Sequence, residues 1–233
     1  MATEGGPNTT TDGLILNLDV ANPKSYPGSG TTWTDTISGF GSSLVNGPSN
    51  STSGKGSLIF DGTNDYCQVT SNGTGTFNNQ SWTIESWVRP HVTNKDGVIF
   101  SYDYTAHSPP YYATQFRLMS SGRIYLSWNN NGSWTSNVTS FSTPNDTYVA
   151  NEWQHIVGLF TSGRQEIRLN GEIVDSDNKA HTITYYNQEV WVGRANYASS
   201  YLDGNIGMVK YYNRALSGDE IIQNYNATKH RFK

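Results

Sequence analysis

Charge is what this chain has least of. Among its 233 residues only 15% are Asp, Glu, Lys or Arg, where an average soluble protein carries about 25%. Mean hydropathy is nonetheless −0.59, so the polarity comes from Asn, Ser, Thr and Gly. A net charge of −4 and a pI near 5.7 leave no basic face with which to track phosphates, and nucleic acid is excluded as a partner. Cysteine is nearly absent too. Cys67 stands alone, which rules out an intrachain disulfide framework, and it reads as a small core residue behind the strand residue Tyr66. No run approaches the roughly 18 apolar residues of a membrane helix, so membrane insertion is not expected. Residues 1–7 show neither a basic n-region nor an apolar h-region, so no secretion signal is visible and synthesis in a cytoplasm is expected.

Against these absences stand 7 Trp, 15 Tyr, 8 Phe and 23 Gly. Disorder combines few aromatics with high charge, the reverse of this composition. Period-2 runs dominate the chain. Trp82, Ile84 and Val88 share one face of an extended run closed by Pro90, with Thr83, Glu85 and Arg89 opposite. The run from Trp153 to Thr161 is apolar on both faces and predicts a strand deep in a sheet, with His155 a buried imidazole rather than a base. Asn170-Gly171 between extended runs predicts a hairpin, because both central residues must accept positive φ. Further strands are predicted at 14–19, 57–60, 66–70, 98–102, 115–119, 123–128, 190–193 and 206–212, with a long loop over Ser38–Gly56. Helical periodicity comes only at the end. Ser217-Gly218-Asp219-Glu220 is a capping box, and Ile221, Ile222 and Tyr225 form the stripe of a short helix ending near Thr228. The pattern is all-β: one sandwich domain over 13–233, preceded by a flexible N-terminal arm over 1–12.

Several blocks, in order, resemble the laminin-G-like branch of the concanavalin A-like lectin/glucanase superfamily. They are Leu16–Asp19 with Asn22–Trp33, Phe60–Tyr66, Thr83–Pro90, Asn151–Val157, Arg168–Gly171, and Leu202–Ile206 running into Val209–Ser217. The resemblance implies a jelly-roll β-sandwich of two antiparallel sheets with one short C-terminal helix. The Asn22–Gly30 opening and the Asn224–Lys229 ending are similar to the subset found in tailed phages. That implies a virion protein, made in a host cytoplasm without a signal peptide and displayed on the particle surface.

Glucanases of the superfamily carry a Glu-x-Asp-x-x-Glu strand, and this chain has no such segment. Glu85, Glu166 and Glu189 are isolated in sequence, and the histidines lack zinc spacing. No enzyme is expected. Calcium is the cofactor expected, because Asp61-Gly62-Thr63-Asn64-Asp65 is a short oxygen-rich loop. The resemblance implies Asp19 and Asp203 as further ligands; relatives carry a second acid four residues beyond the Asp203 position, where this chain has Gly207. The competing reading of the loop is an ordinary Asp-Gly turn.

Sugar or protein recognition needs exposed rings beside amides and hydroxyls. Tyr104, Tyr111, Tyr112, Trp128, Trp134 and Tyr186 lie in segments of that kind, whereas Trp82 and Trp153 are expected in the core. The expected function is a non-catalytic phage virion surface protein, either a capsid decoration or a tail-fibre component. Its partners would be other phage structural proteins, with a homotrimer as its assembly. The alternative is a stand-alone lectin for a host surface glycan.

Overall fold

The alternating runs stack as two antiparallel sheets. A computed structural model describes residues 8–70, 76–104, 112–129, 138–185, 188–195 and 200–233. Among them the strands are β1 (Leu14–Asp19), β2 (Gly41–Val45), β3 (Ser49–Ser51), β4 (Ser57–Asp61), β5 (Tyr66–Thr70), β6 (Trp82–Pro90), β7 (Gly97–Tyr104), β8 (Tyr112–Met119), β9 (Arg123–Asn129), β10 (Val138–Ser142), β11 (Gln154–Thr161), β12 (Arg164–Leu169), β13 (Glu172–Asp177), β14 (Gln188–Val192) and β15 (Asp203–Tyr212); the helix α1 spans Gly218–Thr228. One sheet runs β13-β12-β11-β6-β15-β4-β3, with β1 also paired to β15; the other runs β10-β9-β8-β7-β14-β5-β2. This is the two-sheet sandwich with a single C-terminal helix that the pattern implied.

The core lies between the sheets. Trp82, Ile84, Val88, Ile156 and Phe160 face Cys67, Val69, Phe100, Phe116, Leu126 and Trp128, all but closed to solvent. Trp82 stacks on Phe160 at 5.6 Å between ring centroids, and Trp128 meets the same Phe160 edge-on at 5.0 Å, geometries that add to plain burial. β11 is buried on both faces because α1 covers its far side, where Val157 and Leu159 pack with Leu216 and Ile221. The capping box forms as its sequence implied: Glu220 N donates to Ser217 Oγ at 3.2 Å, and Ser217 N donates to Glu220 Oε2 at 2.8 Å. The hairpin also forms, with φ of 53° at Asn170 and 94° at Gly171.

Four expectations need correction. Ser38–Gly56 is not a loop throughout: it holds β2 and β3. Their Ser-rich sequence hides the alternation, since only Ser42 and Leu44 of β2 turn inward. The arm is tied down from residue 8 onward. Thr10 N donates to Asn224 Oδ1 at 2.7 Å, Tyr212 OH donates to Thr10 O at 3.1 Å, and Arg214 pairs with Asp12 at 2.9 Å; residues 1–7 lie outside the described residues. Ile222 is 41% exposed, and the buried stripe of α1 is Ile221, Asn224 and Thr228. Trp153 is only half-buried and lies outside the main core, against Phe232.

Candidate ligand-binding face

A largely uncharged row crosses the outward surface of the seven-stranded sheet. In-register pairing sets Ser43, Gln68, Trp191, Ser101, Gln115, Ser127 and Ser140 in one row across the whole sheet. Successive side chains of a strand alternate faces, so the inward positions of Val69, Phe100, Phe116 and Leu126 put this row outside. Its middle is nonetheless deeply set: Ser101, Gln115, Ser127 and Trp191 are all buried. Gln68 Nε2 donates to Glu189 Oε2 at 2.8 Å, and Ser101 Oγ donates to the Arg194 carbonyl at 2.8 Å. Among the described residues the Ser127 hydroxyl has no partner, and a buried hydroxyl without one carries a desolvation cost.

Rings and guanidinium groups flank the row. Arg194 lies 4.5 Å over Tyr66, 5.5 Å over Trp191 and 5.8 Å over Tyr201. Arg117 lies 5.7 Å over Tyr125, and its Nη2 donates to Asp96 at 3.2 Å and Ser200 at 3.1 Å. Such pairs hold flat apolar surfaces beside fixed donors. Sequence reasoning missed these residues because neither Tyr66 nor Trp191 sits in a run of polar aromatics.

The expected ring residues separate on inspection. Trp128 is fully buried; it continues the inward alternation of Ile124 and Leu126, so it belongs to the core and offers no face to a ligand. Tyr104 ends β7 and Tyr112 begins β8, with Gln188 opposite Tyr104, Asp103 opposite Tyr112 and Asn129 opposite Val138. The ends of β7, β8, β9, β10 and β14 thus form one rim of the seven-stranded sheet. Tyr111, Trp134 and Tyr186 lie outside the described residues.

The residues expected to hold calcium do not fit that ion. Asp61 and Asp203 are opposite each other on β4 and β15, but each commits its Oδ1 within the protein. Asp61 Oδ1 accepts from the amides of Thr63, Asn64 and Asp65 at 2.8, 3.1 and 3.4 Å, and the Thr63 bond leads the effects that lower its pKa. Asp65 accepts in turn from Asp61 N, while burial and then the Asp61 charge raise its own pKa. Asp203 Oδ1 lies 2.9 Å from His91 Nδ1. The Lys95 ammonium donates to the Gly62 carbonyl, putting a side-chain cation at the loop. Asn64 contributes its backbone to these turns. Asp19 pairs with Met208, some five residues or roughly 16 Å along β15 from Asp203, and is held by Arg231 through two contacts of 2.8 Å. Among the described residues no group of three or more His, Cys, Asp or Glu converges on a metal position. Melting is therefore expected to be the same in EDTA and in millimolar calcium, whereas Lys95→Ala should cost about 1 kcal/mol. Calcium-dependent melting of the unmodified protein would restore the metal.

Glu85 and Glu166 are isolated in sequence but not in space. Glu85 is fully buried under α1, where Nε2 of His155 lies 3.2 Å and Nζ of Lys210 3.7 Å from its Oε1, and Asn224 Nδ2 donates to Oε2 at 2.7 Å. Glu166, also buried, accepts from Arg168 Nε at 3.0 Å and from Arg164 Nε at 2.6 Å. Both carboxylates are enclosed by their own partners.

A family model described as concanavalin A-like lectin/glucanases superfamily, of laminin-G type, matches residues 61–222, well over half of the chain. The chain belongs to this superfamily. No curated protein matches this laminin-G-type chain in sequence. Solved structures share its fold. The binding domain of Paraclostridial Mosquitocidal Protein 1 aligns at a TM-score of 0.69 and 13% identity over 92% of this chain and 52% of that one. The receptor-binding domain of botulinum neurotoxin type G aligns at 0.64 and 17% over 92% and 51%, and the binding domain of botulinum neurotoxin DC, solved with SialylT, at 0.68 and 14% over 93% and 52%. The laminin-G-type chain spans about half the length of these structures. The fold also explains Gly207. A Cβ there would lie 2.5 Å from the ring of Phe232, so the position is given to packing of the C-terminus and has no room for a carboxylate.

Proposed function

We propose that this chain is a non-catalytic, lectin-like binding module that recognises a saccharide on the outer face and rim of its seven-stranded sheet. The observation that carries this reading is the accessible part of the row, Ser43 and Gln68 at one edge and Ser140 at the other, beside the half-buried rings of Tyr66, Tyr125 and Tyr201. Sugars present C–H faces to rings and hydroxyls to neutral polar groups, and that mixture is what the row offers. The binding domains of botulinum neurotoxins, one solved with SialylT and one with N-acetylneuraminic acid, lend support by fold only. We place the module on a bacteriophage virion as a capsid decoration or tail-fibre component, in keeping with the phage-like segments at Asn22–Gly30 and Asn224–Lys229. A host surface glycan is the ligand in that setting.

The test is a glycan array with purified protein, followed by titration calorimetry on any hit. Saturable binding weakened about tenfold or more by Gln68→Ala and by Tyr66→Ala is expected, from the loss of one polar or stacking contact each. Capture by empty capsids with no glycan bound would remove the lectin reading and leave decoration.

A further inference from the structure

A groove lies along the edge of the eight-stranded sheet, beside β3. It has a volume of about 430 Å³, within the range of small-molecule sites. One wall is the turn carrying Pro23, Tyr26 and Pro27; the other is β3 and the turn that follows it, with Asn50, Thr52 and Lys55. Two features hold the walls apart at a fixed distance. Asn50 Nδ2 donates to the Gly28 carbonyl at 3.0 Å across the groove, and Gly56 sits so close to Ala21 that an added Cβ would lie 3.0 Å from its Cα. The back is braced by Phe232, whose ring fills the space where a Cβ on Gly54 would fall.

Part of the polar lining of this groove has bonding capacity to spare. Thr52 heads its turn without making a side-chain capping bond. The Asn50 amide spends a donor on Gly28 and keeps its carbonyl oxygen. Lys55 is exposed and, among the described residues, forms no ion pair. Lys55 also adopts a φ of 56° between Gly54 and Gly56, a left-handed conformation that a third glycine would adopt with less strain. Pyrrolidine rings and a tyrosine on one side, a hydroxyl, an amide and one unpaired ammonium on the other, are the complement of a sugar ring bearing a carboxylate.

We propose that this groove binds an acidic saccharide, with the Lys55 ammonium on the sugar carboxylate, Asn50 and Thr52 on ring hydroxyls, and Pro23 and Pro27 against the C–H face. The site is separate from the seven-stranded face and stands whether or not that face binds sugar. The test is calorimetric titration of the full chain with short oligomers of galacturonate, alginate and hyaluronan, alongside methyl-esterified galacturonate of the same length. Saturable binding of at least one acidic oligomer is expected, weakened about tenfold or more by esterification and by Lys55→Glu, with Lys55→Gly as the variant that keeps the backbone conformation. Gln68→Ala should leave this binding unchanged. The proposal is overturned by failure of all three oligomers, by binding indifferent to Lys55→Gly and Lys55→Glu, or by dextran sulfate binding as tightly to Lys55→Glu as to the unmodified chain.

Discussion

Glu85→Ala is expected to lower the unfolding free energy by about 3–5 kcal/mol, the range for stripping one partner from a buried ion pair. The reason is Lys210. Its ammonium lies beneath α1 with almost no exposure, 3.7 Å from Glu85 Oε1, and the alanine variant would leave that charge in the interior without a counterion. Burial alone would raise the Glu85 pKa, but the Lys210 charge, His155 and Asn224 outweigh it and hold it at about 2. An unfolded glutamate titrates near 4.3, so a carboxyl depressed in the folded state contributes stability above about pH 4.3 that is lost as the pH falls toward 2. Urea midpoints measured at pH 7 and pH 3 should therefore converge between the unmodified protein and Glu85→Gln at the lower pH. Equal midpoints at pH 7 would sink the account. Replacing both charges, as in Glu85→Leu with Lys210→Met, should cost far less than either single change, because no charge is then stranded.

Phe232→Ala is expected to cost a similar amount, about 3–5 kcal/mol. The penultimate residue is 5% exposed, stacks on Trp87 at 4.4 Å and leans on Trp153 at 4.8 Å, and fills the notch left by Gly207 and Gly54. Gly207→Ala attacks the same contact from the other side. With the new Cβ 2.5 Å from the ring, Phe232 must move, at a cost of about 1–3 kcal/mol for overpacking. The two changes share one space, so Gly207→Ala should be nearly neutral once Phe232 is alanine. Chemical denaturation of the four proteins of this double-mutant cycle measures the coupling directly. Additive costs would mean that the ring and the glycine do not constrain each other.

The parts of the fold that were legible in the sequence are those written in local rules. β1 and β5 have the bounds that their alternation implied, and α1 begins at its capping box. What escaped was non-local. β2 and β3 carry too few apolar residues to alternate visibly, and β4 and β5 supply the pairing that makes them strands. The polar residues after Trp128 suggest a ligand contact, but its parity with Ile124 and Leu126 puts it inside. The candidate face was only partly readable: Tyr104 and Tyr112 mark its rim, but the row through Gln68, Trp191, Gln115 and Ser127 exists only once strands distant in sequence are side by side. Lys95 and His91 were invisible as partners of the acidic loop for the same reason.

The anchoring of residues 8–12 and of Phe232 gives the domain a polarity of its own. Residues 8–12 are fastened to α1 and Arg214, and Phe232 is clamped onto Trp87, all on the outer side of the eight-stranded sheet. The row through Gln115 and Trp191 looks the opposite way. A tether entering at residue 8 or leaving at Phe232 would meet the domain from behind and hold the sandwich like a shield on an arm, with its polar face outward.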